Sequence, residues 1–146
     1  MSAIAHYETD FYLWTQQQAA LLRQGEFNRL DLDCANIAEE IESMGKRDRR
    51  SISSYVQNVL LHLLKWRYQP EQRGASWRLS IENARDQILN LLDESPSLKS
   101  EMGKFATKEY QRALRNAAGE TGLPLTTFPE QCPFTVEQII GDWWPD

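Results

Sequence analysis

A chain of 146 residues suits one domain that buries about two-thirds of the surface its unfolded form would expose, without help from disulfides or metals. With 41% hydrophobic and 25% charged residues, wholesale disorder and fibrous architectures are excluded. The net charge of −5 is segmented, at −6 over residues 1–45, +6 over 46–85 and −5 over 86–146. A basic middle between acidic flanks fits a nucleic-acid footprint, and it fits equally helices that neutralise one another across their packing edges.

The expected elements are all helical. From Asp10, the apolar residues Phe11, Trp14, Leu21 and Leu22 share a helical stripe that polar Gln18 interrupts, and Gly25 is the expected stop. A second helix is expected to be capped by Asp31 and stapled by Leu30. It presents Cys34, Ile37, Ala38, Ile41 and Met44 before ending at Gly45. A third opens with Lys46-Arg-Asp-Arg-Arg50 and carries a broad apolar arc of Ile52, Val56, Val59, Leu60, Leu63 and Leu64, which marks it as central.

Pro70 and Gly74 break the pattern. A fourth helix follows through Trp77, Ile81, Ala84, Ile88 and Leu91, with Ser76 as a candidate cap. Ser95-Pro96 reads as cap and first residue of a fifth, through Leu98, Met102, Phe105 and Leu114 to Gly119 and Gly122. Residues 123–134 hold three prolines and are expected to run extended over the bundle. Thr135 and Gln138 then form a capping box for a short last helix ending around Trp143-Trp144.

These features predict an all-α, antiparallel bundle of about five main helices in a single domain spanning 1–146. The bundle occupies about 10–119, and the Pro-rich tail and short terminal helix occupy 120–146. No apolar run is long enough for a membrane span and the N-terminus lacks a signal-peptide pattern, so a soluble, cytoplasmic protein is expected. Cys34 and Cys132 are expected to be reduced, packed thiols.

Two groups of residues carry the chemistry available. Glu39 and Glu42 with His62 are candidates for acid–base catalysis if the second and third helices form a hairpin about Gly45. His62 then stands nearly five turns from Gly45, and Arg49 and Arg50 are nearer partners for the glutamates. No Glu-x-x-His pair is present and the chain has two histidines, so no metal and no cofactor is expected.

The second group interleaves cations and aromatics: Lys65, Trp66, Arg67, Arg73, Trp77 and Arg78. That composition suits single-stranded nucleic acid. It equally suits two tryptophans sealing a bundle end while the arginines meet acidic neighbours. Trp143 and Trp144 either anchor the tail or offer a knob to a partner, and anchoring is the simpler reading.

Several stretches occur together in order: Tyr7-Glu-Thr-Asp-Phe-Tyr-Leu-Trp14, Ile37-Ala-Glu-Glu-Ile-Glu-Ser-Met-Gly45, Leu61-His-Leu-Leu-Lys-Trp-Arg-Tyr-Gln-Pro70, Ser76-Trp-Arg78, Ser95-Pro-Ser-Leu98, and Glu120-Thr-Gly-Leu-Pro124 through Cys132-Pro. On these the chain resembles the bacterial family of domain of unknown function 29, found in cyanobacteria and proteobacteria. The resemblance implies a compact helical domain with no assigned activity, cofactor or site. The expected role is a non-enzymatic binding or protein-interaction module, with a protein partner or a second copy as its target. The alternatives are a nucleic-acid-associated protein and an enzyme built on His62 with carboxylates.

Overall fold

In the computed structural model, which describes residues 4–25, 27 and 30–146, every regular element is helical. The described residues form two compact units, 1–47 and 48–146, and helix α2 belongs to both.

In the first unit, α1 (Phe11–Gln24) begins where the Asp10 side chain accepts from the Leu13 N–H. It ends where Gly25 turns left-handed at φ 74°. Trp14 and Leu21 are buried as expected, whereas Leu22 is exposed; the side chain of Phe11 lies outside the described residues. Gln18 interrupts the apolar stripe for a structural reason. It is buried, its Nε2 donates to the Asp31 carbonyl at 2.9 Å, and its Oε1 accepts from the Asp33 N–H at 2.7 Å. One amide side chain thereby satisfies two backbone groups in the connection between helices.

The second helix starts two residues later than expected. Asp33, and not Asp31, accepts from the Asn36 N–H at 3.3 Å and from Trp14 Nε1 at 3.1 Å. Leu30 does not staple the helix: it is fully exposed, and Leu32 takes the buried position.

The main correction lies at Gly45. The expected second and third helices are one continuous helix, α2 (Cys34–Tyr68), so the hairpin about Gly45 does not exist. A glycine inside a helix costs about 1 kcal/mol relative to alanine, and it ends a helix only where the chain also turns left-handed. Gly45 has no positive φ, and good helix formers stand on both sides. The helical register runs on through it, and the apolar stripe of Cys34, Ile37 and Ile41 resumes in the same phase at Ile52, Val56 and Val59, with Gly45 and Asp48 standing at the stripe positions between.

In the second unit, residues from Asp48 onward pair α2 with two further helices. A short 3-10 turn at Pro70–Gln72 leads to α3 (Ala75–Glu94), whose cap position is Gly74 and not Ser76. Another 3-10 turn, Pro96–Glu101, separates α3 from α4 (Met102–Thr121). The Ser95 hydroxyl makes no cap bond, and the fifth expected helix therefore starts at Met102. Gly119 stays helical and Gly122, at φ 74°, ends α4.

Cross-helix contacts fix the directions. Arg49 meets Glu101 at the start of α4, and Lys65 and Gln69 meet Glu120 and Thr121 at its end, so this part of α2 runs parallel to α4. Lys65 also covers the ring of Trp77 at the start of α3, which returns antiparallel to α2. Ile52, Val59, Leu63, Ile81, Ile88, Met102 and Ala113 meet in one core.

The proline-rich segment packs on this core, but it is not extended throughout, since Leu125–Thr127 forms a 3-10 turn. The Tyr110 hydroxyl donates to the Pro129 carbonyl, Phe128 sits edge-on to Tyr68 at 5.1 Å, and Phe128 and Phe134 are buried. Thr135 and Gln138 make the capping box of α5 (Val136–Ile140), which stops at Gly141, earlier than expected. Beyond it Trp143 packs on Phe134 and Trp144 on Trp66, so both tryptophans anchor the tail.

Candidate functional site

The end of α2, the 3-10 turn at Pro70–Gln72 and the start of α3 bring most of the basic and aromatic candidates together. Trp66 is buried and its ring centroid lies 4.7 Å from that of Trp144. Arg73 lies over Trp66 at 5.1 Å, donates from Nε to the Trp66 carbonyl at 2.7 Å, and reaches the Asp146 carbonyl at 2.8 Å. Arg78 lies over both rings, at 5.9 Å from Trp66 and 5.7 Å from Trp144. Lys65 covers Trp77 at 4.7 Å and pairs with Glu120 at 3.8 Å, while Arg67 is exposed on α2 away from these stacks.

Sequence reasoning missed the residue that organises this cluster. Arg85 is 5% exposed, and its guanidinium donates to three backbone carbonyls of the tail: Ile139 and Gln138 at 2.8 Å and Trp143 at 2.7 Å. It also lies 5.4 Å from the Trp144 ring centroid. Burial pushes its pKa down, against the opposing pull of Asp142 and Glu82. The sequence signal was available, since Arg85 falls on the buried stripe of α3 between Ile81 and Ile88. It holds the tail through these carbonyls and lies over one tryptophan ring, that of Trp144.

The hairpin that was to bring the acid–base candidates together is absent, because Glu39, Glu42 and His62 all belong to the one helix α2. Glu39 and Glu42 are exposed and His62 is half-buried. His62 Nδ1 sits 2.8 Å from the Asn58 carbonyl one turn earlier. A carbonyl only accepts, so Nδ1 carries the hydrogen and Nε2 is the basic nitrogen. Burial lowers the pKa of His62 and Lys65 lowers it further, while the Asn58 bond and Glu120 oppose this.

A groove of about 330 Å³ nearby is lined by Leu61, Arg115, Asn116, Gly119 and Glu120, and the imidazole is not among its walls. Among the described residues no group of three or more His, Cys, Asp and Glu side chains is placed to hold a metal ion, and no helix is long and apolar enough to cross a membrane. Cys132 is half-buried and burial raises its pKa, whereas Cys34, expected to be packed, is exposed.

The exposure of Cys34 belongs to a larger departure. The stripe Cys34, Ile37, Ala38, Ile41 and Met44 has the spacing of a core face. Yet Ile41 is 64% and Met44 60% exposed, Cys34 and Ala38 are exposed, and Ile37 is half-buried. Further along the same helix, Ile52, Val56 and Val59 are fully buried. The first unit also leaves Tyr12, Leu13 and Phe27 exposed. Beside the stripe, Glu40 accepts from the Tyr7 hydroxyl and pairs with Arg47 at 3.5 Å, and the Tyr7 bond to Glu40 pushes the phenol pKa up to about 12.

The model of the family described as "Domain of unknown function DUF29" matches residues 6–144, a stretch that reaches into both units. No curated protein and no protein of solved structure matches the chain.

Proposed function

The chain belongs to the DUF29 family, and from that premise we propose that it is a non-enzymatic protein-interaction module whose contact face is the apolar stripe on the first part of α2. One observation carries this reading: Ile41 and Met44 stand mostly exposed on a stripe whose continuation along the same helix is completely buried. Exposed large apolar side chains gathered on one face mark surfaces that a partner covers.

The reading draws further support from what the other groups do. His62 Nδ1 is bonded to its own helix backbone and Trp66 is stacked on Trp144 with Arg78 over it, uses within the chain that support an interaction module over catalysis or base stacking.

A photoreactive benzoyl-phenylalanine placed at position 41 in cells that express the protein tests it. Strong crosslinking to protein is expected from position 41 and none from exposed Lys108 on α4. Equal or absent crosslinking at the two positions would refute the reading.

A further inference from the structure

We propose that the cradle of Trp66, Arg73, Arg78 and Arg85 is a binding site for an extended acidic peptide segment bearing a tryptophan, and that residues 142–146 occupy it as an internal stand-in for that ligand. The cradle and its occupant lie wholly within the second unit, so the proposal is independent of the reading of the α2 stripe. Three guanidinium groups converge here on the rings of Trp66 and Trp144. Among the described residues none of the three forms an ion pair with a carboxylate, and Asp142 and Glu82 act on Arg85 only from beyond pairing distance. Buried and half-buried cations are ordinarily paired, as charge in a dry site is costly. Backbone carbonyls and ring faces hold these arginines instead, which concentrates positive charge where an anionic ligand gains most from it.

The occupant defines the chemistry. Trp144 lays its ring 4.7 Å from that of Trp66 with Arg78 over both, while Arg85 takes the Trp143 carbonyl and Arg73 that of Asp146. One aromatic ring and successive main-chain carbonyls are the features by which an extended peptide is gripped. The flanking Asp142 and Asp146 are exposed and unpaired with these arginines, so a segment whose carboxylates reach them binds more tightly than the strap. The strap is also free to lift without breaking a helix. Helix α5 ends before Gly141, and among the described residues none from 142 to 146 joins a backbone–backbone hydrogen bond. Gly141 is the hinge: a Cβ there would stand 2.7 Å from the Glu137 carbonyl oxygen, so the seated position requires glycine.

Fluorescence anisotropy of a fluorescein-labelled peptide with the sequence of residues 141–146, titrated with the full chain, tests the proposal. In wild type the tethered strap competes with the peptide at high effective concentration. Trp144→Ala, which empties the ring seat, is expected to bind the peptide at least about tenfold more tightly than wild type, and Arg78→Ala in that background to reverse the gain. Gly141→Ala, which displaces the strap and leaves every cradle residue in place, is expected to act in the same direction as Trp144→Ala. A labelled oligothymidylate is expected to bind neither variant.

Peptide binding no tighter than wild type, in a variant that keeps its helical circular dichroism, overturns the proposal, as does oligothymidylate bound in place of the peptide. If one variant loses its helices, the other decides. Loss of helical circular dichroism in both overturns the proposal as well, because a ligand leaves its site without unfolding the chain, whereas a segment of the core does not.

Discussion

The guanidinium of Arg85, buried in the middle of α3, donates to the carbonyl oxygen of Ile139 at 2.8 Å, a contact across more than fifty residues of sequence. With the Gln138 and Trp143 carbonyls it binds three successive parts of the tail through one planar fork, geometry that an ammonium group does not reproduce.

Removing that fork strands the carbonyls. Arg85→Ala is expected to lower the stability of the chain by about 2–4 kcal/mol and Arg85→Lys by roughly half as much, read by urea denaturation. Limited proteolysis of Arg85→Ala should cut first between 129 and 146. An Arg85→Ala variant as stable as wild type would contradict the role assigned to this residue.

Gly45 separates the continuous helix from the hairpin that its position suggests. Because it is helical with open space around it, Gly45→Ala is expected to stabilise the chain by about 0.5–1 kcal/mol. Gly122, left-handed at φ 74°, behaves oppositely, and Gly122→Ala should cost about 1 kcal/mol. Thermal melts of the two variants check both signs, and loss of stability at Gly45 would place a turn there.

His62 gives the chain a pH dependence of defined sign. Its folded pKa is lowered, chiefly by burial, so the folded state prefers the neutral ring and the unfolded state binds the proton more readily. The stability this contributes is fully present above the unfolded value of about 6.5 and is lost as pH falls from there through the folded pKa. His62→Gln should flatten this part of the stability–pH curve. A wild-type curve that instead rises on acidification below pH of about 6.5 would contradict the assignment.

The basic and aromatic segment yields a negative expectation. Arg73 and Arg78 lie over Trp66, and Arg78 and Arg85 over Trp144, so these rings have little free face on which a base can stack. Fluorescence anisotropy with a single-stranded DNA probe at low salt should stay flat. Binding that weakens steeply with salt and disappears in Arg78→Ala would restore the nucleic-acid reading.

Much of this fold is legible in the residues themselves. Asp10 and Gly25 bound α1, Gly122 ends α4, and Thr135 with Gln138 starts α5, because each of these signals is local and rests on one backbone bond or one φ. Gly45 misleads because glycine marks both tolerated interiors and ends, and the stripe positions Gly45 and Asp48 interrupt the apolar pattern although Ile52, Val56 and Val59 resume it in the same phase. Arg85 is legible as a charged residue on the buried stripe between Ile81 and Ile88, but its partners are not: they are carbonyls of a distant segment, and backbone carbonyls leave no mark in a sequence. For the Ile41 and Met44 stripe, periodicity reveals that a face is apolar and is silent on what covers it.

The most direct measurement of the central claim is hydroxyl-radical footprinting of two methionines. Met44 is 60% exposed and Met102 is 2% exposed, so in the dilute purified chain Met44 should oxidise rapidly and Met102 slowly. In cells, where the contact face is covered, Met44 is expected to be protected to near the level of Met102. Met44 oxidised equally fast in the cell and in dilute solution would contradict the account.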